Sequence, residues 1–261
     1  MIIPATALAR REVVRFLRQR SRVIGALATP IFFWIFIGAG VGRSFQSAAL
    51  GASGDNFLAY FFPGTVVMIL LFTAIFSTIS VIEDRKEGFL QGVLVSPASR
   101  GAIVLGKLLG GGALAFGQAC LFLLAAPFVG VHFTLVGWAI ALGLMALLSV
   151  ALTGLGLMLA WSMNSTQGFH AVMNLVLMPM WFMSGALFPA AGAFGPVKWA
   201  MMANPLTYGL AGIRRALYWG DANVAASMPA LWLCVVVTAG FAAATFCLSW
   251  AIASRPEKSG V

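Results

Sequence analysis

Charge is what this chain has least of. Asp, Glu, Lys and Arg make up 9% of its 261 residues, and the ninety positions between Lys107 and Lys198 contain none of them, whereas soluble domains carry about 25%. That absence excludes a water-soluble domain. A membrane-crossing helix takes about 20 apolar residues, so the ninety positions, interrupted near His132 and at Ser162 to Gln167, have room for three crossings.

Chemistry-bearing residues are scarce as well. Cys120, Cys234 and Cys247 each lie in an apolar run without CxxC spacing, which argues against a disulfide framework or a zinc site. The two histidines, His132 and His170, have no carboxylate near them in sequence, and no GxSxG, HExxH or paired-carboxylate arrangement occurs. Membrane-embedded hydrolysis therefore lacks a nucleophile with a visible base. The stretch Gly101 to Lys107 matches the opening of a phosphate-binding loop, but Leu108 stands where the magnesium-binding Ser or Thr belongs and no strand precedes it. Lys107 is expected to snorkel to the interface instead. The expectation is no catalytic residue, no cofactor site and no metal site in this chain.

What remains is apolar surface with basic punctuation. Hydrophobic residues make up 61% of the chain and the net charge is +9, with most basic residues flanking apolar runs, so membrane lipids rather than nucleic acid are the expected partner. The pattern predicts an all-α polytopic fold as one transmembrane domain over 1–261, with spans at about 23–42, 57–82, 103–131, 133–161, 168–188 and 228–252. Ahead of them, residues of about 5–22 place Arg11, Arg15, Arg18 and Arg22 on one helical face opposite Val13, Phe16 and Leu17, the pattern of an amphipathic interfacial helix. Between spans five and six, Pro189, Pro196 and Pro205 interrupt a segment too apolar for a free loop, which predicts a re-entrant region.

With six spans, both termini share one side with the loops after spans two and four. That side collects twelve Lys and Arg residues, including Arg255 and Lys258 in the tail, against Arg43, Lys198, Arg214 and Arg215 on the other. The positive-inside rule then predicts cytoplasmic termini. Small-residue spacings, Gly38 to Gly42 and Gly106 to Gly110, permit close helix approach, and a dimer seam is one use of them. Phe32, Phe33 and Phe36 in span one and His170, Asn174, Met178 and Trp181 in span five are candidates for a translocation path; packing is the alternative for each.

Four stretches in order carry a resemblance: Glu83-Asp84-Arg85-Lys86-Glu87-Gly88, the run from Leu94 to Gly111 containing Ser96-Pro97, Met183 to Pro189, and Asn204 to Gly220. Together with the six spans, the chain resembles the permease subunit of type-2 ATP-binding-cassette exporters over nearly its whole length. The resemblance implies a second permease copy, as homodimer or heterodimer, and two copies of a separately encoded cassette ATPase that hold ATP and magnesium. It implies that the loop after span two docks on that ATPase, with Glu83, Asp84, Arg85, Lys86, Glu87 and Gly88 as coupling residues and Arg11, Arg15 and Arg18 as secondary ATPase or lipid contacts. It also implies location in a bacterial or archaeal inner membrane and export of a lipophilic, amphipathic or glycan/lipid-type substrate. Two other readings stay open, an ATP-independent transporter or channel and a non-transporting assembly subunit. The lack of Asp and Glu within the spans weighs against an ion-coupled carrier.

Overall fold

A computed structural model describes residues 2–41, 57–89, 92, 99–132 and 134–254. Arg43, Ser96-Pro97, Arg255 and Lys258 fall outside them. The described residues form α1 (Ile2–Arg18), α2 (Arg20–Val41), α3 (Phe57–Lys86), α4 (Arg100–Leu123), α5 (Leu135–Trp161), α6 (Thr166–Trp181), α7 (Gly195–Ala203), α8 (Pro205–Leu217), α9 (Ala222–Ser227) and α10 (Leu231–Ala253). Short 3-10 turns lie at Ala126–Val129 and Ala190–Gly192, and a π turn covers Phe182–Ala186. No strand occurs among the described residues. Among the described residues, six helices are long and apolar enough to cross a membrane: α2, α3, α4, α5, α6 with its π turn, and α10.

The sequence sets the ends of several helices. Ser99 caps α4 by accepting from the Ala102 N–H, and Ser165 caps α6 through Gly168, each hydroxyl satisfying a donor the first turn leaves open. The expected third span ran to 131, but α4 stops at Leu123. Pro127 disfavours helical geometry in the residue before it, and Gly130, at φ 79, closes the 3-10 turn in the left-handed region. A single non-helical residue, Gln19, separates α1 from α2.

The helix α3 is central, since 89% of its most apolar stretch is buried, against 17% for α2 and 22% for α10. A helix apolar on every face belongs inside. It packs on α2, α4 and α5, while α10 closes the far side against α5 and α8. Tyr60, Phe61, Phe62, Met68 and Ile75 are fully buried along it. Between α3 and α4, Thr73 donates to Gln118 at 2.5 Å with both side chains buried. At 30 residues and 1.5 Å per residue, α3 is about 45 Å long, more than the roughly 30 Å of hydrocarbon. Its last turns therefore stand beyond the hydrocarbon, carrying Glu83 to Lys86.

The first helix lies on α4 through glycine. A Cβ on Gly106 would stand 2.8 Å from both the Ala5 carbonyl oxygen and the Leu8 Cβ, and one on Gly110 would stand 2.8 Å from the Glu12 Cβ. The Gly106 to Gly110 spacing thus serves a contact inside the chain, between α1 and α4. At the other end of the bundle, the π turn contains Gly185, whose φ of 87 favours glycine. The broken helix leaves carbonyls that neighbouring elements satisfy: Tyr60 donates to Gly185 at 3.0 Å and Asn204 to Met180 at 2.6 Å, while Trp181 Nε1 ties the break to α3 by donating to the Gly64 carbonyl at 3.0 Å.

Candidate functional site

The end of α3 is a hub of ion pairs. Asp84 has no exposed surface and Lys107 is 3% exposed. Lys107 Nζ donates to Asp84 at 2.7 Å, to Glu12 at 2.8 Å and to Ser80 at 3.2 Å. Arg11 meets Asp84 through both terminal nitrogens, at 2.8 and 3.1 Å, the two-pronged geometry that makes guanidinium–carboxylate bonds strong. Arg15 reaches Asp84 at 2.5 Å, Glu83 at 3.1 Å and Glu87 at 3.2 Å, and Arg22 donates to Glu83. The hydrogen bond to Asp84 raises the Arg11 pKa above its ordinary value, so the guanidinium stays charged.

These contacts change several sequence expectations. Lys107 does not snorkel; seven residues into α4 it turns inward, because Asp84 and Glu12 offer two carboxylates there. The charged cluster is not a free loop, since Glu83 to Lys86 are the last turn of α3. Glu83 and Asp84 pair with residues of α1, α2 and α4. Arg11 and Arg15 are likewise spent on internal pairs, while Arg18 is exposed. Arg85 turns the opposite way and donates to the Trp161 and Met163 carbonyls, each at 3.0 Å, and to the Asn164 side chain at 2.9 Å. It thereby caps the C-terminal end of α5 with a cation, where the helix dipole favours one. Lys86, Glu87, Gly88 and Phe89 remain exposed, with the Arg11 guanidinium 3.6 Å from the centroid of the Phe89 ring.

The path candidates divide as well. Phe32 and Phe36 stack at 5.9 Å and are exposed, whereas Phe33 is partly buried against the core. His170 and Asn174 are exposed on α6, and the His170 ring meets Phe76 of α3 edge-on at 5.9 Å. Asn174 and Met178 line a narrow groove with Leu71 and Phe72. Trp181 has no exposed surface and holds Gly64, so it is a packing residue and not part of a path wall. A ring of that size fills the space between α3 and α6, where Phe61 lies 6.0 Å from it.

Sequence reasoning passed over Glu12 and Ser80, gave Arg22 only a place on the basic face of the first helix, and counted Arg214 only among the basic residues of the non-cytoplasmic side. Arg214 is 3% exposed on α8. It donates to the carbonyls of Tyr60 at 3.1 Å and Gly185 at 3.2 Å, and lies 4.1 Å from the Tyr60 ring centroid. The available signal was the apolar company of Ile213 and Leu217 on one face of α8. Arg215, next in sequence, instead donates to the Ala225 carbonyl at 2.9 Å.

A six-span helical bundle with a charged, cross-braced end is a multi-pass membrane protein. The family model described as ABC-2 type transporter matches residues 5–218, and the chain belongs to that family. It is 27% identical over 268 residues to "Probable ABC transporter permease protein NosY" of Pseudomonas aeruginosa, covering 91% of this chain and 94% of the relative. It is 27% identical over 202 residues to "Nodulation protein J" of Rhizobium meliloti, covering 74% and 73%. The family matches support a transport permease subunit, a role in which nucleotide hydrolysis falls to a separate ATPase.

Proposed function

We propose that the chain is the transmembrane half of an ATP-driven exporter moving a lipophilic, amphipathic or glycan/lipid-type substrate out of the cytoplasm. Two permease copies form the path, and two copies of a cassette ATPase bind ATP and magnesium. The hub end and both termini face the cytoplasm of a bacterial or archaeal cell, as the twelve-to-four basic asymmetry supports.

The observation that carries this reading is the division of labour at the end of α3. Lys86, Glu87, Gly88 and Phe89 are exposed for docking. The three residues before them tie α3 to α1, α2, α4 and the α5–α6 turn. A load applied to the exposed turn therefore reaches four neighbouring elements through short charged bonds.

The test reconstitutes the chain with its cassette ATPase. Changing Lys86, Glu87 and Phe89 together to Ser should leave insertion and the internal pairs of Asp84 intact, yet uncouple transport from ATP hydrolysis. Unaltered ATP-dependent transport at equal membrane abundance would remove these residues from coupling. Orientation is read separately: a cysteine at Ala222 should label from outside the cell, and one at Gln91 should not.

A further inference from the structure

Beside the hub, α2 and α6 flank α3 without closing on each other, leaving a cleft of about 390 Å³. Its floor is apolar, from Phe76 and Ile79 of α3. Its rim holds Arg22 and Glu83, paired with each other, and Thr166 and His170 of α6. The flanking helices also carry exposed apolar side chains, Ile24 on α2 and Leu175 and Val176 on α6, surfaces that suit acyl chains.

We infer that this cleft binds a zwitterionic phospholipid head group bearing a primary amine, with its tail along the exposed apolar side of α6. Arg22 gives one N–H to Glu83 and has no other partner among the described residues. A guanidinium has five donors in a fork that fits phosphate oxygens in pairs, so most of its capacity is open. Glu83 accepts from Arg22 and Arg15, and a carboxylate has about four lone-pair sites, which leaves room for an ammonium.

Charge balance selects the class of head group. Among the described residues, the hub's ion pairs join Arg11, Arg15, Arg22 and Lys107 to Glu12, Glu83, Asp84 and Glu87, equal numbers of each sign. A ligand of net charge would leave one partly buried charge unmatched, which costs free energy. A molecule carrying both signs inserts between Arg22 and Glu83 and matches each. The amine needs N–H donors to satisfy Glu83, which distinguishes phosphatidylethanolamine from phosphatidylcholine.

The experiment uses the full chain in nanodiscs, with no ATPase or nucleotide, and reads lipids retained by native mass spectrometry. Its failure therefore leaves the transport reading intact, and loss of ATP-driven transport would not explain it. Phosphatidylethanolamine should be retained over phosphatidylglycerol by about tenfold, and over phosphatidylcholine by a smaller factor. Glu83→Gln should invert the first preference, because Arg22 then favours a net anion. His170→Ala, outside the ion-pair set, should weaken retention of phosphatidylethanolamine without changing the order. Soluble phosphoethanolamine should compete poorly; competition equal to the intact lipid would overturn the lipid assignment. Equal retention of all three lipids, or an order unchanged in Glu83→Gln, would overturn the site.

Discussion

Replacing Lys107 with Met tests whether the hub holds α1 in place. The change removes the cation that bridges Glu12 at 2.8 Å and Asp84 at 2.7 Å. Asp84 keeps Arg11 at 2.8 Å and Arg15 at 2.5 Å. Among the described residues Glu12 keeps only a 3.4 Å contact with Arg11, its neighbour on the same helix, while being 4% exposed. The stranded group is therefore on α1, and relief comes from moving α1 away from α4. Breaking a buried pair by removing one partner costs about 3–5 kcal/mol. The lower end applies because Arg11 remains, and about 3 kcal/mol is roughly a hundredfold in the docking equilibrium.

The readout is maleimide labelling of a cysteine at Ala5, 1% exposed beneath the Gly106 contact, in a chain whose three native cysteines are replaced. Lys107→Met should raise the labelling rate about a hundredfold. Adding Glu12→Leu should recover most of that rise, because exchanging a whole buried pair for apolar groups is often neutral. A mutant cycle isolates the pair from general loosening. A labelling rate unchanged in Lys107→Met would refute the claim that this pair fastens α1.

Three further outcomes follow from the same contacts. Gly110→Val forces a Cβ to 2.8 Å from the Glu12 Cβ and 3.0 Å from the Ala9 carbonyl, and should cost about 1–3 kcal/mol as overpacking, seen as faster Ala5 labelling with both ion pairs still present. Arg85→Ala removes three hydrogen bonds to the α5–α6 turn; hydrogen exchange at residues 162–165 should accelerate while α1 stays protected, and uniform exchange would contradict the split of the hub. Arg214→Leu leaves the Tyr60 and Gly185 carbonyls with fewer donors and should lower thermal stability by about 1–3 kcal/mol. Arg214→Lys should recover little, since an ammonium lacks the planar fork; full recovery would show that charge alone suffices.

The sequence by itself determined the solvent and the number of crossings. Ninety uncharged positions cannot be reconciled with water, and runs of about 20 apolar residues set the length of each span. The starts of the third and fifth spans, expected at about 103 and 168, lie a few residues earlier, at Arg100 and Thr166, where the Ser99 and Ser165 hydroxyls cap the first turn. The family resemblance, carried by four stretches in order, agrees with the match over residues 5–218.

Only the tertiary structure decided which way the charges turn. Glu12 and Lys107 are 95 residues apart, Arg11 and Asp84 are 73 apart, and no periodicity links such positions. In the sequence Lys107 is one basic residue at the start of a span, and the choice between the interface and the interior depends on whether two carboxylates wait inside. Arg214 repeats the point, since its burial rests on carbonyls exposed by the π turn at Gly185 and on the ring of Tyr60. Hydrophobic length is a property of the chain, whereas the cost of burying a charge is set by the partners that the packed helices bring to it.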